Sequence, residues 1–410
     1  MDIPVEYDLT LTDEQRELRD AAHRFAAEVM RPAGIELDRL PPDKVIERNS
    51  RLFEVARQAH ELGFTRLSGP PEMGGLGASP LTLHLVSEEL AWGSLGLASV
   101  ILLCAFPPDA ALASGKPELA EEFSKPYYGA RGDLKIGAWA ITEPDHGSDT
   151  LCPGQPEMRV LGPGNLIARR DGDYWILNGQ KSAWVSNGPI ADQAVLFAHA
   201  DPKGTLDHGV VFVLPFDLPG ISRGRPLDKH GVRSLPQGEI FFEEVRVPKR
   251  YLVADADVYP LYLNATLTAF NAAVSCAAAG LARAAYETAL AYTKERVQGG
   301  RPIFEHQSVR ARLFRMFSLV QASRAFSRAV YVHNLTKLVQ TGAGALEHSI
   351  AAKVFCTNSA VEVATLAVQL HGGNGMTKEY PVEMFLRDAM AFTVADGENA
   401  FLSQLGATFL

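Results

Sequence analysis

The last forty residues of this sequence contain a carboxylate in a setting suited to proton abstraction. Asp396 follows a largely apolar run, residues 390–395, and stands directly before Gly397. A carboxylate presented from apolar surroundings has a raised pKa and a stronger basicity, which removal of a proton from carbon requires. Asp-Gly is also a common turn pair, so the motif by itself is more typical of a turn or a helix N-cap than of a catalytic base. Asp396 becomes a candidate base through the other motifs of the chain.

Two segments in the middle of the chain could hold a planar, polar ligand. In residues 139–149 a strand ends in Thr-Glu-Pro and is followed by a Gly-Ser-Asp turn, which exposes backbone N–H groups and hydroxyls. In residues 177–188, Trp184 and Ser186 alternate onto one face of a strand, where an indole could stack on a planar ring beside a hydroxyl donor. A strand-end turn and a core tryptophan are the ordinary structural alternatives.

A third segment could bind a diphosphate. Arg296 stands at a predicted helix end before Gly299-Gly300, and an arginine fork beside open backbone suits phosphate oxygens. A helix C-cap with a solvated arginine is the alternative. His146 and His371 are single histidines, which are more often structural than catalytic. The four cysteines form no CxxC pair or His/Cys cluster, so we expect buried thiols in a reducing compartment and no metal site.

The spacing of apolar residues divides the chain into three zones that position these motifs. The first zone begins with a capping-box spacing at Thr12 and continues at helical intervals, and we expect Pro32 to end its first helix. The second zone contains hairpin signals and short runs typical of antiparallel strands. The third returns to long helical patterns. The order predicts an α+β fold with an N-terminal helical domain (1–130), a middle antiparallel β-domain (131–250) and a C-terminal helical bundle (251–410).

Composition is that of a soluble globular protein and excludes some partners. Of its 410 residues, 47% are hydrophobic and 21% are charged. The net charge of -9 argues against nucleic acid and anionic membranes, since both need a basic face. The apolar run of residues 95–106 ends at Pro107-Pro108. This run is too short to span a bilayer. Residues 1–4 show no signal-peptide pattern, so we expect a cytoplasmic protein.

Taken together and in this order, the four segments resemble the acyl-CoA dehydrogenase family, and the resemblance covers nearly the whole chain. The family fold is an N-terminal helical domain, a middle β-domain and a C-terminal four-helix domain, in agreement with the three zones. Members are usually homotetramers with one FAD per subunit, and the flavin also touches a neighbouring subunit. The resemblance therefore implies FAD as cofactor and a homotetrameric assembly.

The resemblance also implies roles for individual residues by matched position. Asp396 takes the place of the usual glutamate base, and its backbone N–H would help to polarise the thioester carbonyl. Ala395 and Gly397 would border the substrate, and Ser148 would contact the flavin or the pantetheine chain. The residues implied to lie against the flavin rings are Trp139, Ile141, Thr142, Trp184 and Ser186. Those implied to reach the FAD diphosphate and adenosine, of a neighbouring subunit, are Arg296, Gln307, Gln369 and Gly373.

The reaction implied by the resemblance is α,β-desaturation of an acyl-CoA thioester. Asp396 would remove the α-proton while the β-hydrogen leaves as hydride to flavin N5. Hydrogen bonds to the thioester carbonyl make the α-carbon acidic enough for a carboxylate base. The flavin carries the redox chemistry, and an electron-transfer flavoprotein is the expected acceptor.

Several positions depart from the family pattern and bear on the substrate. Aspartate in place of glutamate sets the carboxylate back by roughly one C–C bond, and Ala395 stands where a bulky aromatic is frequent. Because both changes widen the pocket, we expect a branched, alicyclic or aromatic acyl group. Phe270 occupies the position where some relatives carry the base on an earlier helix, and it cannot serve. Asn271 replaces an arginine that commonly assists CoA-thioester binding, which leaves a carrier-protein thioester open.

Two further hypotheses belong to other functional classes. An aspartate base also occurs in nitroalkane oxidase relatives of this fold, so a flavin oxidase acting on a small acidic carbon compound is the first alternative. The second is a flavin-binding relative with little dehydrogenase activity, acting as a binding or protective protein. Anaerobic flavin reduction by an acyl-CoA separates dehydrogenation from both, and rapid reoxidation by air favours an oxidase.

Overall fold

The structure, a computed structural model, describes residues 10–129, 134–152, 155–158, 164–200 and 206–410. Within these ranges a helical N-terminal part is followed by a β-sheet and a helical C-terminal part, which confirms the predicted fold class. Two short 3₁₀ segments, Ser148–Leu151 and Pro156–Met158, lie between the first two strands, and part of that connection lies outside the described residues.

The first helix begins as predicted and continues further than predicted. Thr12 and Gln15 form the capping box, each side chain accepting from the other's backbone N–H. Pro32 does not end the helix, because a π-helical turn at Ala26–Met30 precedes it and the proline lies in the first turn of the next α-helix. The helices of this part are α1 (Asp13–Phe25), α2 (Arg31–Asp38), α3 (Pro42–Val45), α4 (Arg51–Glu61), α5 (Pro80–Gly93), α6 (Leu95–Leu103), α7 (Phe106–Ala113), α8 (Pro117–Leu119) and α9 (Lys125–Gly129).

The central sheet has eight strands, seven of them in the order β6-β7-β3-β1-β4-β5-β8, with β2 beside β3 and β4. It is antiparallel except where β1 and β2 run parallel to β4. The strand β3 has 13 residues and is longer than the short runs that the sequence predicted for this zone. The strands are β1 (Gly137–Ala140), β2 (Ile167–Asp171), β3 (Tyr174–Ser186), β4 (Gln193–His199), β5 (Gly209–Pro215), β6 (Ile221–Arg223), β7 (Gln237–Pro248) and β8 (Leu252–Ala254), with a separate hairpin of β9 (Val297–Gln298) and β10 (Arg301–Pro302).

Long helices form the C-terminal part, and α10 joins it to the N-terminal part. The alanine-rich α10 packs closely against α11 and α12 and also against α5. Arg283 of α10 donates to Glu88 and Glu89 of α5 at 2.7 and 2.8 Å, an ion cluster buried between the two helical parts. The helices are α10 (Tyr259–Glu295), α11 (Gln307–Thr341), α12 (Leu346–His371), α13 (Val382–Val394) and α14 (Asn399–Ala407).

Within the part of the chain that the structure describes, three helical stretches are long and apolar enough to cross a membrane by length and composition alone. They are Leu95–Ala113, Tyr259–Glu295 and Leu346–Met376, and 56% to 67% of each apolar window is buried inside the structure. The first stretch runs past the two prolines at which the sequence predicted its end. Packing of these helices against their neighbours accounts for much of their apolar surface. All four cysteines are buried and unpaired, as the sequence predicted.

Candidate active site

The connection between α13 and α14, residues 395–398, is called the Asp396 loop. Asp396 has φ +52°, a left-handed conformation that aspartate tolerates better than most residues. Gly397 follows with φ +105°, and a Cβ there would come within 2.7 Å of Leu402 and 3.1 Å of Leu151. The Asp-Gly pair is therefore required by the turn, and the same turn presents the carboxylate outside both helices.

The environment of Asp396 raises the pKa of its carboxyl. The residue is partly exposed, yet desolvation of its carboxyl raises the pKa to about 6, an effect that the Lys353 ammonium opposes. Among the described residues, no acceptor takes the backbone N–H of Asp396. One residue thus offers a carboxylate of raised basicity and a free backbone donor.

Lys353 of α12 lies directly beneath the Asp396 loop and was missed by the sequence analysis. Its fully buried ammonium donates to Gly397 O and Asn399 Oδ1, both at 2.7 Å, and to Thr393 O at 3.3 Å. Burial lowers its pKa to about 8, against the pull of the nearby carboxylates. The available signal was a single charge in the otherwise apolar stretch of residues 350–356.

Ser148 joins the middle domain to the Asp396 loop. Its hydroxyl accepts a hydrogen bond of 3.0 Å from the backbone N–H of Glu398. Glu398 in turn caps α14, since its carboxylate accepts from the N–H groups of Ala400 and Phe401 at 2.9 Å. The role of Ser148 toward the flavin or pantetheine stays a prediction, but the structure places it at the candidate base.

The predicted flavin residues of the middle domain come together on β1, β3 and the turn after β1. Trp139 of β1 stands opposite Ser186 of β3 in the sheet. Beyond β1, Ser182 N–H donates to Thr142 O at 2.8 Å, which continues the alignment. Trp184 is 55% exposed, so it is not a core tryptophan, and its indole faces outward beside this group. The surface is suited to stacking against a planar ring.

A buried ion pair holds the turn that carries Ile141 and Thr142. Lys181 donates to Glu143 Oε1 at 2.7 Å and to Ile141 O at 2.9 Å, and both charged side chains are buried. His199 Nε2 lies 3.4 Å from the same carboxylate oxygen. Burial alone would raise the pKa of Glu143, but Lys181 and His199 hold it well below its usual range. Glu143 is therefore a structural anion.

An aromatic cluster stands beside the predicted flavin residues. The ring centroids of Trp139 and Phe270 are 4.4 Å apart, and those of Phe106 and Phe270 are 4.8 Å apart. The cluster presents an apolar surface beside these residues, and Phe270 carries no acidic group. Asn271 is fully buried, and its side-chain amide donates to Leu267 O of its own helix at 3.1 Å.

The predicted diphosphate residues meet in a separate crevice of about 500 Å³ between the end of α10 and the end of α12. Arg296, Gln369 and Gly373 line it, and Gln307 begins α11 between two lining residues, His306 and Ser308. A Cβ added at Gly373 would meet no atom within 4 Å, so the backbone there is open to a ligand. The sequence analysis predicted this grouping, and the structure assembles most of it.

His371 is a structural residue of this crevice. Its ring stacks on Tyr292 with centroids 4.0 Å apart, and Nδ1 lies 2.7 Å from Ala367 O. Because a carbonyl can only accept, Nδ1 carries the proton. Desolvation lowers the pKa of the ring, which keeps it neutral.

The crevice and the surface around Trp139 lie near opposite ends of α10. Phe270, which touches Trp139, is 25 residues before Glu295, the last residue of the helix. At about 1.5 Å per residue these two positions are roughly 38 Å apart along the helix. The two groups of one chain are therefore separate sites on this subunit.

Both groups nevertheless have the chemistry that FAD needs. The exposed indole of Trp184 and the hydroxyl of Ser186 suit a ring system with hydrogen-bonding edges. The crevice offers the guanidinium of Arg296 beside open glycine backbone, which suits a diphosphate. The residues present thus fit two halves of a flavin nucleotide site.

Comparison with known proteins agrees with this geometry. The chain matches three family models, described as the N-terminal, middle and C-terminal domains of acyl-CoA dehydrogenase, over residues 12–127, 138–245 and 262–409. Among curated relatives it is 30% identical to a 3-(aryl)acrylate reductase of Clostridium sporogenes, over 95% of this chain and 96% of the relative. It is 31% identical to a benzylmalonyl-CoA dehydrogenase of Aromatoleum aromaticum (96% and 97% covered) and 31% identical to a cyclohex-1-ene-1-carbonyl-CoA dehydrogenase of Syntrophus aciditrophicus (95% and 88% covered).

Solved structures show the same fold. Butyryl-CoA dehydrogenase from Megasphaera elsdenii superposes with a TM-score of 0.83 at 29% identity, covering 98% of this chain and 99% of that one. A chain from work on the electron transferring flavoprotein of Acidaminococcus fermentans gives a TM-score of 0.84 at 28% identity, with 98% and 99% covered.

Proposed function

Because the chain belongs to the acyl-CoA dehydrogenase family, we propose that it desaturates an acyl-CoA thioester at the α,β-bond with Asp396 as the α-proton base. It is an oxidoreductase of that family. The observation that carries the assignment of the base is the Asp396 loop, where a carboxylate with a pKa of about 6 stands beside a backbone N–H that donates to none of the described residues.

The residues of the chain divide the work around the acyl group. Asp396 accepts the α-proton on its carboxylate, and its backbone N–H donates to the thioester carbonyl as negative charge develops there. The apolar cluster of Trp139, Phe106 and Phe270 keeps water from the reacting carbons. FAD, when bound, supplies the two-electron acceptor for the β-hydrogen as hydride.

We propose a branched, alicyclic or aromatic acyl group. Asp396 is one methylene shorter than glutamate, and Ala395 beside it contributes only a methyl group, so a bulkier substrate has room to approach the base. The aromatic cluster supplies ring faces for such a group. The names of the relatives, with aryl, benzylmalonyl and cyclohexene acyl groups, support the same class.

We further propose a homotetramer in which each FAD contacts two subunits. The roughly 38 Å along α10 between Phe270 and Glu295 supports a site in which the crevice of one subunit serves the flavin of another. Apolar side chains exposed on α11 and α12, namely Phe314 at 69%, Phe317 at 36% and Phe355 at 39%, provide surface for subunit contacts. An electron-transfer flavoprotein is the proposed acceptor, in keeping with the second structural neighbour.

A carrier-protein thioester is the second candidate substrate. The observation that favours it is Asn271, which is buried and bonded within its helix where an arginine commonly assists CoA-thioester binding. A matched pair of thioesters, one acyl group on CoA and on a phosphopantetheinyl carrier protein, decides between the two by the rate of flavin reduction.

The test is anaerobic bleaching of the FAD-bound protein by a panel of straight, branched, alicyclic and aromatic acyl-CoAs. We expect the fastest bleaching with a cyclic or branched substrate, none with Asp396→Asn at unchanged FAD content, and normal bleaching with Asp43→Asn, an exposed aspartate elsewhere. Reduction retained by Asp396→Asn would remove Asp396 from the base role. Absence of bleaching by every thioester, with fast reduction by a nitroalkane and reoxidation by air, would replace the dehydrogenase with an oxidase.

A further inference from the structure

The ammonium of Lys353 connects every part of the chain that meets at the Asp396 loop. Each of its three protons has an acceptor: Thr393 O in the last turn of α13, Gly397 O in the loop, and Asn399 Oδ1 at the start of α14. The first of these is one of the carbonyls that a helix end leaves without an internal partner. One side chain thus holds the end of one helix, the loop and the start of the next.

A second layer of hydrogen bonds fixes this ammonium in place. Asn399 Nδ2 donates to Thr357 Oγ1 and Asn358 Oδ1, both at 3.0 Å. The Thr357 hydroxyl donates in turn to Lys353 O at 2.8 Å, one helical turn earlier. Asn399 and Thr357 are buried with the lysine. A buried polar cluster with satisfied partners is rigid, so the loop is held at a fixed height above α12.

Among the charged groups that the structure describes around this cluster, Lys353 is the one whose charge acts on the Asp396 carboxylate. Glu398 also attracts the ammonium, but its carboxylate is exposed and occupied in capping α14. On α13, Arg387 pairs with Asp38 and Glu383. In the turn that carries Ser148, His146 pairs with Asp149 at 2.7 Å. Within the described ranges, Lys353 is the cation that acts on the Asp396 carboxylate.

We propose that Lys353 is a positioning residue that fixes the Asp396 loop and, by its charge, keeps the Asp396 carboxylate ionised at neutral pH. The inference rests on the proposed function, since it concerns the same base. Without the ammonium, desolvation would act on Asp396 unopposed and a larger share of the carboxyl would be protonated at pH 7. The chain thereby combines a strong base with a high ionised fraction.

The experiment is the pH profile of anaerobic flavin reduction in the FAD-bound protein. In Lys353→Met, which keeps the apolar stem and loses the charge, we expect the acid limb to move upward by about one pH unit. Lys353→Arg keeps the charge, so its acid limb should stay near that of the wild type even if the rate falls. Lys229→Met is the matched control, because Lys229 is also buried and donates to Val232 O and Leu235 O. Its acid limb should not move.

An unchanged acid limb in folded, flavin-loaded Lys353→Met would overturn the proposal, and so would equal shifts in Lys353→Met and Lys353→Arg. If the methionine variant does not fold, Asn399→Asp serves instead, since it places a carboxylate at the oxygen that now lies 2.7 Å from the ammonium. That near-isosteric change should also move the limb upward, and no movement would contradict the inference.

A titration without substrate separates this inference from the proposed function. The carboxyl band of Asp396 is obtained as the infrared difference between the protein and Asp396→Asn over a range of pH. We expect its midpoint to rise by the same amount in Lys353→Met. If no thioester bleaches the flavin but this midpoint moves, the proposed substrate class fails while the effect of Lys353 on Asp396 stands. A midpoint that does not move overturns the effect whatever the substrate.

Discussion

Asp396→Asn is expected to make the folded protein more stable at neutral pH while it removes the chemistry. The folded state raises the pKa of Asp396 from 3.8 to about 6, so it binds this proton more tightly than the unfolded chain does. Stability contributed by such a group is present at low pH and is lost as the pH rises through 6. Asparagine carries no charge at any pH and does not incur this loss.

The magnitude follows from the shift and the exposure of the residue. Two pH units correspond to about 3 kcal/mol of free energy of unfolding. Because Asp396 is partly exposed, solvent screens part of this, and about 1–2 kcal/mol is the expected gain. For a chain of 410 residues that is a rise in Tm of about 2 °C at pH 7.5, about half as much at pH 5 and close to none near pH 4.

The assay is thermal unfolding of the FAD-bound wild type, Asp396→Asn and the surface control Asp43→Asn at pH 5 and 7.5. Flavin absorbance confirms equal cofactor content before each measurement. The reasoning would be refuted if Asp396→Asn melted at or below the wild type at pH 7.5, or if its difference from the wild type were the same at both pH values. Either result would mean that the carboxyl is not desolvated in the folded protein.

Three other substitutions test the supporting parts of the site. Lys181→Met removes the ammonium that lies 2.7 Å from the buried Glu143 carboxylate, so we expect the free energy of unfolding to fall by about 3–5 kcal/mol in thermal or denaturant unfolding. A free energy of unfolding within about 1 kcal/mol of the wild type would contradict a buried charge pair there. Arg296→Gln should lower the ratio of flavin to protein in absorbance, whereas Arg301→Gln, exposed in the same segment, should not; equal ratios would remove the crevice from cofactor binding. Phe270→Ala should lower the free energy of unfolding by about 2 kcal/mol, because the partly buried ring loses its packing against Trp139. It should also raise KM for cyclic thioesters more than KM for short straight-chain ones. An equal rise in KM for both classes would show that the ring does not select the acyl group.

The sequence predicted the features that depend on local chemistry. The capping box at Thr12 and the long helical patterns of the third zone follow from residue types within a few positions of one another. The continuation of the helix past Pro32 could not be predicted in this way, because it depends on a π-helical turn, a rare insertion of one extra residue that local residue types do not indicate. The parallel pairing of β1 with β4 is likewise a property of the whole sheet.

The site shows the same division. Asp396, Trp184 and Arg296 could be predicted as site residues because each lies in a motif of its own. The contribution of Lys353 depends on Gly397 O and Asn399 Oδ1, which lie 44 and 46 positions further along the chain. Nothing in the spacing of the sequence indicates that these oxygens converge on one ammonium. The same holds for Ser148 and the Glu398 N–H, which are 250 positions apart.

The left-handed backbone conformation at Asp396 couples the type of acidic side chain at this position to the conformation of the turn. At φ +52° an unbranched long side chain is disfavoured relative to aspartate or asparagine, whose short polar groups bond locally. Replacing Asp396 by glutamate would therefore extend the carboxylate by one carbon and at the same time strain the backbone that aims it. The length of the side chain and the direction in which it presents the carboxylate cannot be changed independently at this position. A change of acyl-group specificity would therefore have to begin with the Asp396 loop rather than with the acidic side chain.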